Sequence, residues 1–186
     1  SEEGPGLWTG TEFLNHANSG KKVDIGSNVV VIGGGDTAID AARVSKRLIS
    51  DSVEMATKLG AKVTILYRRT REEMSAIDRE IDEAIEEDIN IEYLAAPIEL
   101  LRDEDGHLKA AVVQRMELGE PDDSGRRRPV PIEGDTYELP IETMITAVSQ
   151  KPDLGAMHSE ELGDGWLNGD EWGFTGIDGV WTGGDN

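Results

Sequence analysis

Apolar and polar positions along this 186-residue chain follow one regime up to about residue 94 and another beyond it. Residues 28–32 are a continuous, β-branched apolar run, as expected of a parallel strand buried on both faces. Three glycines follow. Then Ala38, Ile39, Ala42, Val44 and Leu48 recur on one side of a helix. That helix either runs to Ser50-Asp51-Ser52 or restarts there and continues to Leu59-Gly60, where glycine supplies a C-terminal stop. Residues 61–67 read as a second strand. Met74, Ile77, Ile81, Ala84 and Ile85 mark a helix over 72–88 with an acidic outer side. Residues 90–94 read as a third strand. This β-α-β-α-β order predicts a parallel sheet with crossover helices.

After Pro97 the period shortens. Residues 98–101, 108–118 and 137–139 read as strands of an antiparallel meander, with Asp103-Glu104-Asp105-Gly106 as a turn. Residues 119–134 read as a long loop or irregular hairpin. The apolar run 144–148 can return to the main sheet. Residues 163–175 are loop-like, and 179–182 read as a last strand. Ahead of the first strand, Thr9 or Thr11 is placed to cap a short helix ending near Ser19-Gly20. The expected organisation is a lead-in at 1–26, a nucleotide-binding domain at 27–178 and the edge of another domain at 179–186. The expected fold class is α/β, Rossmann-like, with a parallel sheet, crossover helices and an antiparallel β-meander.

The charge changes what such a fold can bind. Asp and Glu number 38 against 18 Lys and Arg, for a net charge of −20. Such a surface repels nucleic acid and anionic membranes, so neither is expected as a partner. It also makes any basic cluster informative; the alternative reading of the acidity is a high-salt habitat, where screening relieves self-repulsion. No cysteine is present, which removes disulfides, thiol nucleophiles and Cys-ligated clusters from this stretch. No apolar run reaches the ~18 residues of a membrane span. A cytoplasmic location is the expectation, and both ends read as cut edges of a longer protein.

The glycine turn is Gly33-Gly34-Gly35-Asp36-Thr37-Ala38, a GxGxxA spacing after a strand and before a helix. The first glycine permits the tight turn, the second lets a pyrophosphate approach the backbone, and the small third residue lets helix and strand pack closely. A diphosphate then meets free N–H groups at the helix N-terminus. Where a dinucleotide fold normally places an acid on the ribose 2′-hydroxyl, this chain has Arg68 and Arg69 after the second strand. Two guanidiniums suit a 2′-phosphate, which favours NADPH over NADH. The plainer alternative is a solvated basic loop paired with Glu72 and Glu73. Asp36 is placed either to cap its helix or to accept a cofactor hydroxyl. His16, His107 and His158 lack metal-ligand spacing. Arg126-Arg127-Arg128 is either a solvated loop or a contact for a partner or an acidic cofactor tail.

These stretches together resemble the NADPH-binding domain of the glutamate synthase small-subunit family of FAD/NAD(P)-dependent oxidoreductases. The resemblance rests on residues 31–43, 63–74 and 116–131, and covers nearly the whole chain. It implies that Gly33 to Ala38 hold the NADPH pyrophosphate and that Arg68 and Arg69 take the 2′-phosphate. It further implies that Ser149 and Gln150 return toward the flavin near the nicotinamide, and that Gly184 and Asp185 belong to a motif whose aspartate contacts FAD. Residues 49–57 look like an added stretch relative to that family. The implied function is hydride passage between NADPH and FAD, with FAD bound largely outside this piece and the piece alone catalysing nothing. The implied partners are the FAD-binding domain of the same chain and an iron–sulfur domain or large synthase subunit. The alternatives are an NADH-preferring relative, a nucleotide-sensing or protein-interaction domain without turnover, and an enzyme acting directly on a small metabolite.

Overall fold

The computed structural model describes residues 4–51, 61–122, 125–148 and 169–183. The chain divides into two compact units, Ser1–Val148 and Ser149–Asn186. In the first unit the strands are β1 (Leu7–Thr9), β2 (Asn28–Ile32), β3 (Lys62–Tyr67), β4 (Asn90–Tyr93), β5 (Ala95–Arg102), β6 (Leu108–Pro121), β7 (Arg127–Pro140) and β8 (Thr143–Thr146). Among the described residues the helices are α1 (Gly10–Asn18), α2 (Asp36–Asp51) and α3 (Asp78–Glu86), with a 3-10 turn at Arg71–Glu73.

Five strands form an all-parallel sheet in the order β1-β8-β2-β3-β4. β5, β6 and β7 form a separate antiparallel meander. Each layer has an apolar reason. One core cluster joins Val29, Val31, Val63 and Ile65 to Ile39, Ala42, Ile81 and Ala84 of α2 and α3. The other joins Val30, Leu66 and Met144 to Ala111 and Val113 of the meander. Successive residues of β2 and β3 therefore bury on opposite faces, which is why those runs are continuously apolar.

The expected parallel sheet, crossover order and meander are all present, and residues 143–146 do return to the main sheet, beside β2. Three further points carry information. The lead-in is part of the fold: β1 is one of the two edge strands, and α1 starts at Gly10 with the Thr9 hydroxyl accepting from the Glu12 amide. The helix expected over 72–88 begins only at Asp78, after a capping box of Thr70 and Glu73 closes the 3-10 turn. Of the two readings of residues 119–134, the irregular hairpin is the one found: the stretch continues two 14-residue strands. Their register jumps from Gln114 opposite Thr136 to Met116 opposite Pro131, and this bulge disguised the alternation in the sequence. The buried Gln114 amide donates to the carbonyls of Ile132 and Asp135, giving the bulge's backbone a partner.

In the second unit, residues 169–183 form a small knot. The Asp170 carboxylate accepts from the amides of Trp172 and Phe174, and Phe174 pairs with Trp181 in one antiparallel bridge. The expected last strand is thus reduced to that bridge among the described residues.

Candidate nucleotide site

The glycine turn lies at the carboxyl end of β2, where strand order turns from β3 on one side to β8 on the other. Open parallel sheets bind ligands at such a switch point. The turn is held from both sides: the Gly33 amide donates to the Leu66 carbonyl at 3.2 Å, and Ala147 donates to Ile32 at 2.8 Å.

The three glycines answer to different neighbours. Gly33 has φ +147°, and a Cβ there would lie 2.4 Å from the Ala147 carbonyl oxygen. A Cβ on Gly34 would lie 2.5 Å from the Tyr67 ring. At Gly35 the nearest atom among the described residues, its chain neighbours aside, is Ser75 Oγ, 3.2 Å from where a Cβ would lie, with no other within 4 Å. Among the described residues nothing else fills the space over Gly35. The amides of Gly35, Asp36 and Thr37 have no acceptor among the described residues, whereas those of Ala38 and Ile39 both reach the Gly35 carbonyl. An open first turn facing an open space fits a pyrophosphate. Ala38 is fully buried in the helix–sheet core. Thr37 is exposed but packs its methyl toward Gly10, where a Cβ would come within 2.9 Å of it.

A strap crosses beside this turn. The amides of Ser75 and Ala76 donate to the Gly34 carbonyl at 3.0 and 3.1 Å. The Asp36 carboxylate accepts from the Ile77 amide at 3.0 Å. Asp36 therefore does not cap its own helix but fixes the residue just before α3. Tyr67 stacks over Gly34 and donates its hydroxyl to the Glu73 carbonyl at 2.6 Å, closing the other end of the strap. Ser75 is exposed beside Gly35, and sequence reasoning missed it. Its only signal was position, within a stretch that the periodicity assigned to a helix.

The two arginines part company. Arg68 is exposed and has no ion pair or hydrogen bond among the described residues. Arg69 is 6% exposed. Its Nε donates to the Arg127 carbonyl at 2.7 Å and its Nη2 pairs with Asp122 at 2.8 Å. Neither arginine pairs with Glu72 or Glu73 among the described residues. The Thr70 hydroxyl, which donates to Glu73, holds that carboxyl below the usual carboxylate range, and the nearby Arg127 adds to the effect. Arg71 instead meets Asp82 at 2.7 Å. Ser149, Gln150, Gly184 and Asp185 lie outside the described residues.

The pyridine nucleotide-disulphide oxidoreductase model matches residues 3–186. The chain belongs to that family. The beta subunit of the NADPH-Fe(3+) oxidoreductase of Geobacter sulfurreducens is 42% identical over 145 residues, 78% of this chain and 20% of the relative. A putative glutamate synthase [NADPH] small chain of Cereibacter sphaeroides is 38% identical over 128 residues, 69% of this chain and 28% of that one. Among solved structures, FprA of Mycobacterium tuberculosis in complex with NADPH superposes with a TM-score of 0.56 at 20% identity, over 82% of this chain and 44% of FprA. That likeness shows the fold. This chain therefore spans between a fifth and under a third of the two curated relatives. No helix among the described residues is long and apolar enough to cross a membrane.

Proposed function

We propose that this chain is the NADPH-binding part of a flavin-dependent oxidoreductase that passes hydride between NADPH and FAD. The observation that carries the reading is the open first turn of α2 over Gly35, whose amides find no protein acceptor among the described residues. Gly35 leaves room for the pyrophosphate, and the amides of Gly35, Asp36 and Thr37 donate to it. Exposed Arg68 meets the 2′-phosphate and so selects NADPH. The nicotinamide and the flavin supply the redox chemistry; the protein supplies placement.

In this reading 27–178 is the NADPH-binding domain and 179–186 the start of the FAD-binding domain. Ser149, Gln150, Gly184 and Asp185 keep the roles that the family resemblance assigns them. The electron acceptor is an iron–sulfur domain or a synthase subunit in the cytoplasm, since the relatives are named as a beta subunit and a small chain. Membership of the glutamate synthase small-subunit branch is the finer form of the same reading.

In the full-length protein, NADPH is expected to bleach the flavin absorbance anaerobically. Arg68→Ala should raise the apparent Kd for NADPH about tenfold or more and leave NADH within about twofold. Equal losses for both nucleotides would reject the 2′-phosphate role, and NADPH binding without bleaching would favour a sensor.

A further inference from the structure

Resting on that reading, we propose that the 2′-phosphate subsite is bipartite: Arg68 comes from the end of β3 and Arg127 from the start of β7. The buried Arg69–Asp122 pair is the clamp that joins them. Arg69 is then a positioning residue and does not touch the phosphate.

The two arms of the β6–β7 hairpin meet near Asp122. Its amide donates to the Arg126 carbonyl at 2.8 Å, and the Gly125 amide donates back to the Asp122 carbonyl at 2.8 Å. Arg69 fastens both arms at once, through the Asp122 carboxylate on one and the Arg127 carbonyl on the other. A guanidinium this buried is held by a charge partner and a carbonyl; turning it out to a ligand would leave both behind at a cost. Arg127 spends its Nε on the Gly119 carbonyl and its Nη2 on Leu118, both of the opposite arm. Its side chain remains exposed, with other N–H donors in hand. Its charge is felt at Glu73, whose carboxylate is bonded to Thr70, the residue after Arg69. The clamp thus holds the Arg127 backbone against the side chain of Arg69, the residue next to Arg68. On a surface of net charge −20, a second exposed guanidinium on the hairpin that Arg69 fastens suits, together with Arg68, a doubly charged phosphate.

The test is calorimetric titration of the full-length protein with NADPH and with NADH. Arg127→Ala should weaken NADPH about tenfold and leave NADH within about twofold. Asp122→Asn decides the sign for Arg69. If Asp122 is part of the clamp, its loss releases the hairpin and weakens NADPH several-fold without weakening NADH. If Arg69 itself binds the phosphate, removing a competing carboxylate tightens NADPH. Arg79→Ala, which removes an exposed charge paired to Glu83 on α3, should change neither nucleotide. Tighter or unchanged NADPH binding in Asp122→Asn overturns the proposal. So do equal losses of NADPH and NADH in Arg127→Ala, which would mark a structural role only. Failure of the unsubstituted protein to bind NADPH overturns the function proposed above, and the bipartite subsite with it.

Discussion

Gly33, Gly34 and Gly35 are the same residue under three different constraints. Gly33 combines a positive φ with a carbonyl where its Cβ would go, and Gly34 lies against the Tyr67 ring. Among the described residues Gly35 faces only one serine hydroxyl, 3.2 Å from where a Cβ would lie. Gly33→Ala or Gly34→Ala is therefore expected to destabilise the fold by about 1–3 kcal/mol, through backbone strain or overpacking. Gly35→Ala should leave the melting temperature within a few degrees while weakening NADPH at least tenfold, because the methyl occupies the pyrophosphate's place. Thermal denaturation and titration of the three variants check this; loss of stability in Gly35→Ala alone would refute it. The spacing of the turn was legible because its chemistry is local. The division of labour between Arg68 and Arg69 was not, since the partner that buries Arg69 lies 53 residues along the chain.

At the scale of elements, local periodicity found β2, β3 and β4 and misplaced one helix boundary. Ile81 and Ala84 are buried as the stripe predicts, but Ile77 is 57% exposed. The amides of Ser75, Ala76 and Ile77 bond to the Gly34 carbonyl and the Asp36 carboxylate, so this segment cannot also bond helically. The same competition at a distance joins α2 to α3: Arg43 donates to Glu87 at 2.7 Å and pairs with Glu83 at 3.1 Å. The Arg43 hydrogen bond holds the Glu87 carboxyl below its usual range against the opposing effect of burial. A carboxyl lowered in the folded state contributes stability above its unfolded pKa, ~4.3, and loses it as pH falls through the lowered folded value. Arg43→Ala should cost about 1 kcal/mol at pH 7, the pair being partly exposed. Urea midpoints of variant and parent should converge as pH falls through the lowered folded value; a gap that persists in acid would show that the tie is packing and not charge.

For the molecule as a whole, the acidic excess sets the kinetics of ligand arrival. NADPH is an anion approaching a chain of net charge −20, so the long-range field opposes encounter. Salt screens charges beyond ~10 Å at 0.1 M, while contacts within the subsite are screened less. The NADPH association rate, followed by stopped flow, should therefore rise between 20 and 200 mM salt on the order of several-fold. A fall would show that the basic edge, and not the overall charge, steers the ligand. The melting temperature should rise over the same range as self-repulsion is relieved.

Sequence by itself determined what depends on neighbours along the chain: the strand–glycine–helix unit, the alternation of β and α to residue 94, the meander, and the concentration of arginine in an acidic protein. Each follows from periodicity or from the steric demands of a single turn. Tertiary structure decided what depends on residues far apart. It made β1 an edge strand, by pairing it with β8 across more than 130 residues. It chose the irregular hairpin over the loop for residues 119–134, because a bulge hides alternation until the partner strand is present. It also left one arginine of a matched pair open and buried the other, since a buried guanidinium needs its counter-charge and acceptor close in space, and these came from the hairpin.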